Sequence, residues 1–360
     1  MTTFDEIFKQ AIAALPEAQG TSANDLNKAI QEATPELVND LADWLLDTLK
    51  KRAPKMLRER RGMHNTFNKN NLKRWKKPFD LLEMHYVICE ELGSEFTCKN
   101  QPTAAEQQNY RFEALVSLHA RAMLIANEII CLLKNGFADG AMGRWRTLHE
   151  AAVVAQFLAQ AEPVISERYL ASFHVQAYKA MRQYQEHHER ANLEPFSEDD
   201  IRGIEHNRDT VITRYGKNLA NDYGWASPEL QKEKPTLFDL EVAVRLDHWR
   251  PRYRWASQYN HVAYKPPGTF LGLAESEEEV LLIGPSNSGL IDPAQMTAIS
   301  MIHVTEALLR SDHSLDKLVL ARTLLNLSDE IGHVFLETER QTFDEHKSKT
   351  AASAGAKDEA

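Results

Sequence analysis

Between residues 104 and 160 the chain encodes two consecutive helices that cannot both lie on a surface. Leu115, Leu118, Ala122, Ile125, Ile129 and Leu132 recur at three- and four-residue spacing, the stripe of an amphipathic helix. Asn135-Gly136 supplies a stop, and a second helix is expected over about 138–160. Its later half, Ala151 to Ala159, is apolar almost without interruption, so both of its faces need other helices against them. Only 15 Gly and 14 Pro occur in 360 residues, too few for the turns of an all-β chain. The expected class is therefore all-α, a multi-helix bundle core.

Further helices are expected at about 4–15, 22–32, 35–61, 64–92, 164–192, 197–222, 236–247, 292–312 and 314–340. The polar stretch Thr97 to Thr103 reads as a linker. Residues 268–284 break the helical pattern. There, Thr269-Phe270-Leu271-Gly272-Leu273 and Val280-Leu281-Leu282-Ile283 flank an acidic turn and predict one small β-hairpin. The domain reading is an N-terminal helical region over 1–100, a helical core domain over 101–340 and a disordered tail over 341–360.

Charge is distributed unevenly. Residues 50–77 hold Lys50, Lys51, Arg52, Lys55, Arg58, Arg60, Arg61, Lys69, Lys73, Arg74, Lys76 and Lys77 against one acid, Glu59. That segment carries +11 in a chain of net charge −10, so the remainder is −21. Such asymmetry marks contact with nucleic acid, RNA in particular, or with an acidic protein partner. The competing reading is a solvated helix face that offsets the acidic N-terminal region. The three cysteines, Cys89, Cys98 and Cys131, are odd in number and have no metal-ligand spacing. With no signal-peptide pattern and no run near the ~18 apolar residues of a span, a cytoplasmic protein without a membrane segment is expected. A homodimer is left open.

The entry to the central helix, Gly143-Arg144-Trp145-Arg146-Thr147-Leu148-His149-Glu150, leads charges into the core. Buried charge costs several kcal/mol unless it is paired. At ~100° per residue, Arg146, His149 and Glu150 share one side, while Arg144 points about 140° away from His149. Arg146 and Glu150 can pair directly. Arg121 and Glu128 on the preceding helix are candidate neighbours. The group is either an ion-pair network that sets helix register or a polar site in which His149 moves a proton beside arginine donors.

A second cluster spans residues 245–261, where Arg245, Arg250, Arg252 and Arg254 interleave with Trp249, Tyr253, Trp255 and Tyr259 before Asn260-His261. Arginine for phosphate and aromatic rings for bases is the composition of a single-strand binding surface. Alternatively the rings pack inward and the arginines pair with acids. His261, at a helix end, is expected to face a cleft.

Motifs that would name a cofactor are missing. Gly284-Pro285-Ser286-Asn287-Ser288-Gly289 lacks the Lys-Ser/Thr of a phosphate loop, and neither Gly-x-Gly-x-x-Gly nor His-Glu-x-x-His occurs. No cofactor or metal is expected, with His119, His149, His261 and a carboxylate the one histidine set to watch.

Two resemblances follow from these residues. Arg144-x4-His149 is similar to the Arg-x4–6-His motif of HEPN domains. These are all-helical, and many are metal-independent ribonucleases of bacterial toxin and defence systems. That likeness implies a histidine for the ribose 2′-hydroxyl proton and an arginine for charge on phosphorus. The Arg-x4–6-His pattern also occurs at Arg182/His187, Arg168/His174 and Arg254/His261. The run from Leu118 to Glu150, with Tyr223-Gly224-Trp225-Ala226, Arg252 to Tyr264 and Gly284 to Ser300, resembles the bacterial family named domain of unknown function 5677. It covers roughly residues 65 to 340. This resemblance implies a helical protein of no settled activity, with Arg144, Arg146, Glu150 and His261 as the matching positions. Together the readings give catalytic candidates His149, Arg146, Arg144, Glu150 and His261, and binding candidates Arg121, Glu128, Asn260, Arg250, Arg252, Arg254 and Trp255.

Overall fold

The computed structural model describes residues 35–262, 264–276, 280–310 and 315–358. The helices expected at 4–15 and 22–32 lie outside the described residues. The chain divides into two units, Met1–Asn70 and Asn71–Ala360. What is described of the first is helix only, the greater part of α1 (Pro35–Arg74). The break expected near residue 62 is absent. A lone Gly62 costs a helix only about 1 kcal/mol against alanine, and good helix formers flank it. The break comes instead at Trp75, which is fully buried and donates its indole N–H to the Asn287 carbonyl at 3.0 Å.

In the second unit, α2 (Lys76–Glu106) runs straight through the expected linker. Thr97 Oγ1 and Asn100 Nδ2 donate back to the carbonyls of Gly93 and Phe96, while Phe96 and Ala104 anchor that stretch in the core. The polar side chains are thus absorbed by the helix itself. Next come α3 (Tyr110–Lys134) and α4 (Ala138–Gln160). These pack on each other, and both pack on α10 (Ile291–Leu309), with α2 and α11 (Leu315–Asp358) completing the bundle. The backbone of α11 is helical through the tail read as disordered. Its Ala, Lys and Glu residues are strong helix formers.

As the apolar run requires, the later half of α4 is buried on all sides, with Ala152, Val153, Ala155 and Leu158 fully enclosed. Trp145 ties α4 to α10 by donating to the Met296 carbonyl and to Ser300 Oγ, each at 3.0 Å. By length and composition α3 could cross a membrane, contrary to the reading of the sequence. Half of its most apolar window is buried among the other helices.

Outside the bundle lie α5 (Pro163–His187), α6 (Glu198–Tyr215), α7 (Ser227–Leu230), α8 (Leu237–Ala243) and α9 (Arg250–Ser257). Both α8 and α9 pack on α4. The expected β-hairpin is not formed, and no strand occurs among the described residues. Residues 267–273 make two 3₁₀ turns instead. The reason is a long-range contact: Leu271 N and Gly272 N donate to the Asp139 carboxylate at 2.9 and 3.0 Å. Those donors are therefore unavailable to a partner strand.

Candidate functional site

One side of α4 is met by two short helices, neighbours of each other but far from α4 in sequence. On that side α4 bears Arg146, His149 and Glu150. The first short helix is α8, which opens with a capping box. Asp239 N donates to Thr236 Oγ1, and Thr236 N donates to Asp239 Oδ2 at 2.7 Å. That start sets Leu237, Leu240 and Glu241 at i, i+3 and i+4, one inward face. Glu241 is carried into the core by the two leucines and is 0% exposed. The second is α9, with Pro251 in its first turn and Tyr253 and Ala256 on its buried side. A left-handed Arg245 (φ 60°) turns the chain between α8 and α9.

Two linked hydrogen-bond chains result. His149 Nε2 lies 3.1 Å from Glu241 Oε1, and Arg250 donates to Glu241 Oε2 at 2.9 Å. The carboxylate can only accept, so His149 carries its proton on Nε2. His149 and Glu241 are 2% and 0% exposed, so that end of the inner chain is closed to solvent, while Arg250 is partly exposed. The outer chain is half-buried. Arg146 donates to the Tyr253 hydroxyl at 2.6 Å, Tyr253 donates to Glu150 Oε1 at 2.5 Å, and Arg146 reaches that same oxygen at 3.1 Å. The Arg146 and Arg250 guanidinium groups lie 4.8 and 4.9 Å from the Tyr253 ring centroid, so the ring separates two cations. Burial, then the hydrogen bond to Glu150, pushes the Tyr253 hydroxyl up to about 12. It stays protonated and works as a donor. Tyr223 is raised by burial and then by Glu150, which places it on the same polar group.

The remaining sequence candidates lie elsewhere. Arg144 pairs with Glu128 on α3, away from His149. Arg121 is exposed and acts on Tyr169. Asn260 lies over the α4 backbone, 3.4 Å from the Gly143 carbonyl, an approach that needs the missing Cβ of glycine. His261 follows it, exposed, with no hydrogen bond or ion pair among the described residues. His119 bonds to Thr305 Oγ1, so the three histidines share no ligand position. Arg252 pairs with Asp292, and Arg254 is exposed. Trp255 is 58% exposed beside Arg252, so of the aromatic–basic segment Tyr253 packs inward and Trp255 outward.

Glu241 and Tyr253 are members of the centre that sequence reasoning missed as site residues. The signal for Glu241 was a carboxylate in register with two leucines behind a capping box. The basic segment 50–77 is helical apart from Trp75, and its lysines are exposed throughout. On α1, at ~100° per residue, Lys51, Lys55, Arg58 and Lys69 fall within about 60° of one another, and Trp44, 42% exposed, lies on the same face.

Residues 112–279 match the model of a family described as Family of unknown function (DUF5677). The match lies inside the span of 65 to 340 read from the sequence. No curated protein and no solved structure matches the chain.

Proposed function

We propose that the protein binds single-stranded RNA through α1, with the backbone phosphates on the Lys51, Lys55, Arg58 and Lys69 stripe and a base on Trp44. The exposed stripe carries the reading: in a chain that is −21 outside residues 50–77, twelve cations and one acid occupy that segment. The four stripe positions span about 27 Å of helix at 1.5 Å per residue, long enough to follow several phosphates of an extended strand. Surface cations of this kind gain their affinity by releasing counterions, and an exposed ring stacks on bases without regard to sequence. Trp255 beside Arg252 offers a second stacking surface of the same composition. In this reading the His149–Glu241–Arg250 chain, buried at His149 and Glu241, fixes α8 and α9 on α4.

The test is direct binding. A fluorescein-labelled 20-nucleotide polyuridine is titrated with the full chain at low salt, then with Trp44→Ala. Saturable binding that weakens in the variant supports the proposal. Binding of equal strength in the variant removes the stripe's aromatic end, and no binding at low salt removes the proposal.

A second reading is favoured by the half-open Arg146–Tyr253–Glu150 chain: cleavage of the bound RNA. Glu150 would take the 2′-hydroxyl proton as that oxygen bonds to phosphorus, the P–O5′ bond would break to leave a 2′,3′-cyclic phosphate, water would protonate the departing 5′-oxygen, and Arg146 would stabilise charge gathering on phosphorus. The pair Arg144/His149 does not serve this purpose, since Arg144 faces Glu128 and His149 is enclosed. Cleavage in excess EDTA, lost in both Arg146→Ala and Glu150→Gln, is the expected result. Cleavage at parental level in either variant excludes it.

A further inference from the structure

A cavity of about 290 Å³ opens at the other end of α4, between the first turns of α3 and the last turn of α10. One part of its wall is apolar: Phe96, Leu115 and Leu308 are buried, and Phe112 is half-buried with its ring 6.2 Å from that of Phe96, while Asn109 adds a polar side chain. Two guanidinium groups line it as well, Arg111 and Arg310.

Neither arginine is fully paired among the described residues. Arg111 donates from one terminal nitrogen to the Ala161 carbonyl, where α4 ends, and its other terminal nitrogen has no hydrogen-bond partner among them. A guanidinium presents its N–H groups as donors suited to a carboxylate. Arg310 caps the end of α10. It lies near enough to Glu306 to oppose the upward push of burial on that carboxyl, but no ion pair joins them. A half-open space, part apolar and part polar, with two guanidinium groups that form no ion pair among the described residues suits a ligand with an apolar body and one negative end. The volume is at the small end of the roughly 300–1,000 Å³ of ligand pockets, which suits a ring or short chain and is too small for a nucleotide.

We infer that this cavity binds a small apolar monocarboxylate, an aryl or short acyl acid, with its carboxylate held by Arg111 and Arg310 and its body against Phe96, Phe112, Leu115 and Leu308. The site is independent of the RNA surface and of the His149 centre.

Calorimetric titration of the full chain with phenylacetate, benzoate and hexanoate tests it, with phenylacetamide as the uncharged control. At least one of the three acids binds saturably, and phenylacetamide binds about tenfold or more weakly, as expected for loss of a charge-assisted bond. Arg310→Gln, at an exposed position, weakens the acid by a similar factor and leaves phenylacetamide unchanged. Ala159→Leu, which intrudes on the cavity without altering charge, weakens both. Saturable binding by none of the acids overturns the inference, as does equal affinity for acid and amide or full affinity in Arg310→Gln. Inorganic phosphate competing as well as the acids would mark a bare anion contact and overturn it too.

Discussion

Replacing Lys51, Lys55, Arg58 and Lys69 together by glutamine tests the RNA surface quantitatively. On single strands each phosphate neutralised contributes about −0.7 to the slope of log Kobs against log salt. Four engaged cations therefore contribute about −2.8. Between 50 and 200 mM salt, that share alone lowers affinity roughly fifty-fold. The quadruple variant should lose that increment and keep only the slope from the other cations of residues 50–77. Each single variant should lose about 0.7. Glutamine has nearly the helix propensity of lysine and arginine, so circular dichroism should show the helix intact. The assay is fluorescence anisotropy with labelled polyuridine at five or six salt concentrations. A quadruple variant with the parental slope, or parental binding indifferent to salt, refutes the assignment of phosphate contacts to this stripe.

Other predictions concern the core and the second surface. Glu241→Leu removes the acceptor of both His149 and Arg250 from a fully buried position, and should cost about 3–5 kcal/mol in urea unfolding. The paired change Arg146→Met/Glu150→Leu should cost less than either single change, because no lone charge is left behind; a double mutant no better than the worse single would count against it. Burial holds His85 and His119 neutral, with pKa values lowered from 6.5 to about 4. The unfolded chain therefore takes up protons first. Stability should be flat above pH ~6.5, fall as pH drops from there to ~4, and level off below, by about 3 kcal/mol per histidine. Denaturant midpoints unchanged between pH 7 and 4.5 would contradict this. Trp255→Ala should weaken RNA binding by about 1–3 kcal/mol with no loss of stability, its ring being exposed.

How much of this could be read in the chain depends on the range of the interactions. The stripe on α3 and the all-round burial of the later half of α4 are local periodicities, and both are present as expected. The angular argument separating Arg144 from His149 needed only helix geometry, and Arg144 does face Glu128. The hairpin failed because its backbone donors are claimed by Asp139, more than a hundred residues earlier. The partners of Glu241 were hidden for the same reason, although its register with Leu237 and Leu240 is visible. A carboxylate in a short helix looks solvated until that helix is seen docked on α4 with His149 and Arg250 waiting. The linker over 97–103 failed more locally, since polar side chains that bond back to their own helix resemble loop residues in composition.

Photocrosslinking tests the central claim most directly. Polyuridine carrying 4-thiouridine is bound to the full chain, irradiated and digested, and the modified peptides are mapped by mass spectrometry. Crosslinks at Trp44 and within residues 50–69, suppressed by salt and by unlabelled RNA, are the predicted outcome. Crosslinks confined to other segments, or insensitive to competitor, contradict the claim that α1 is the RNA-binding surface.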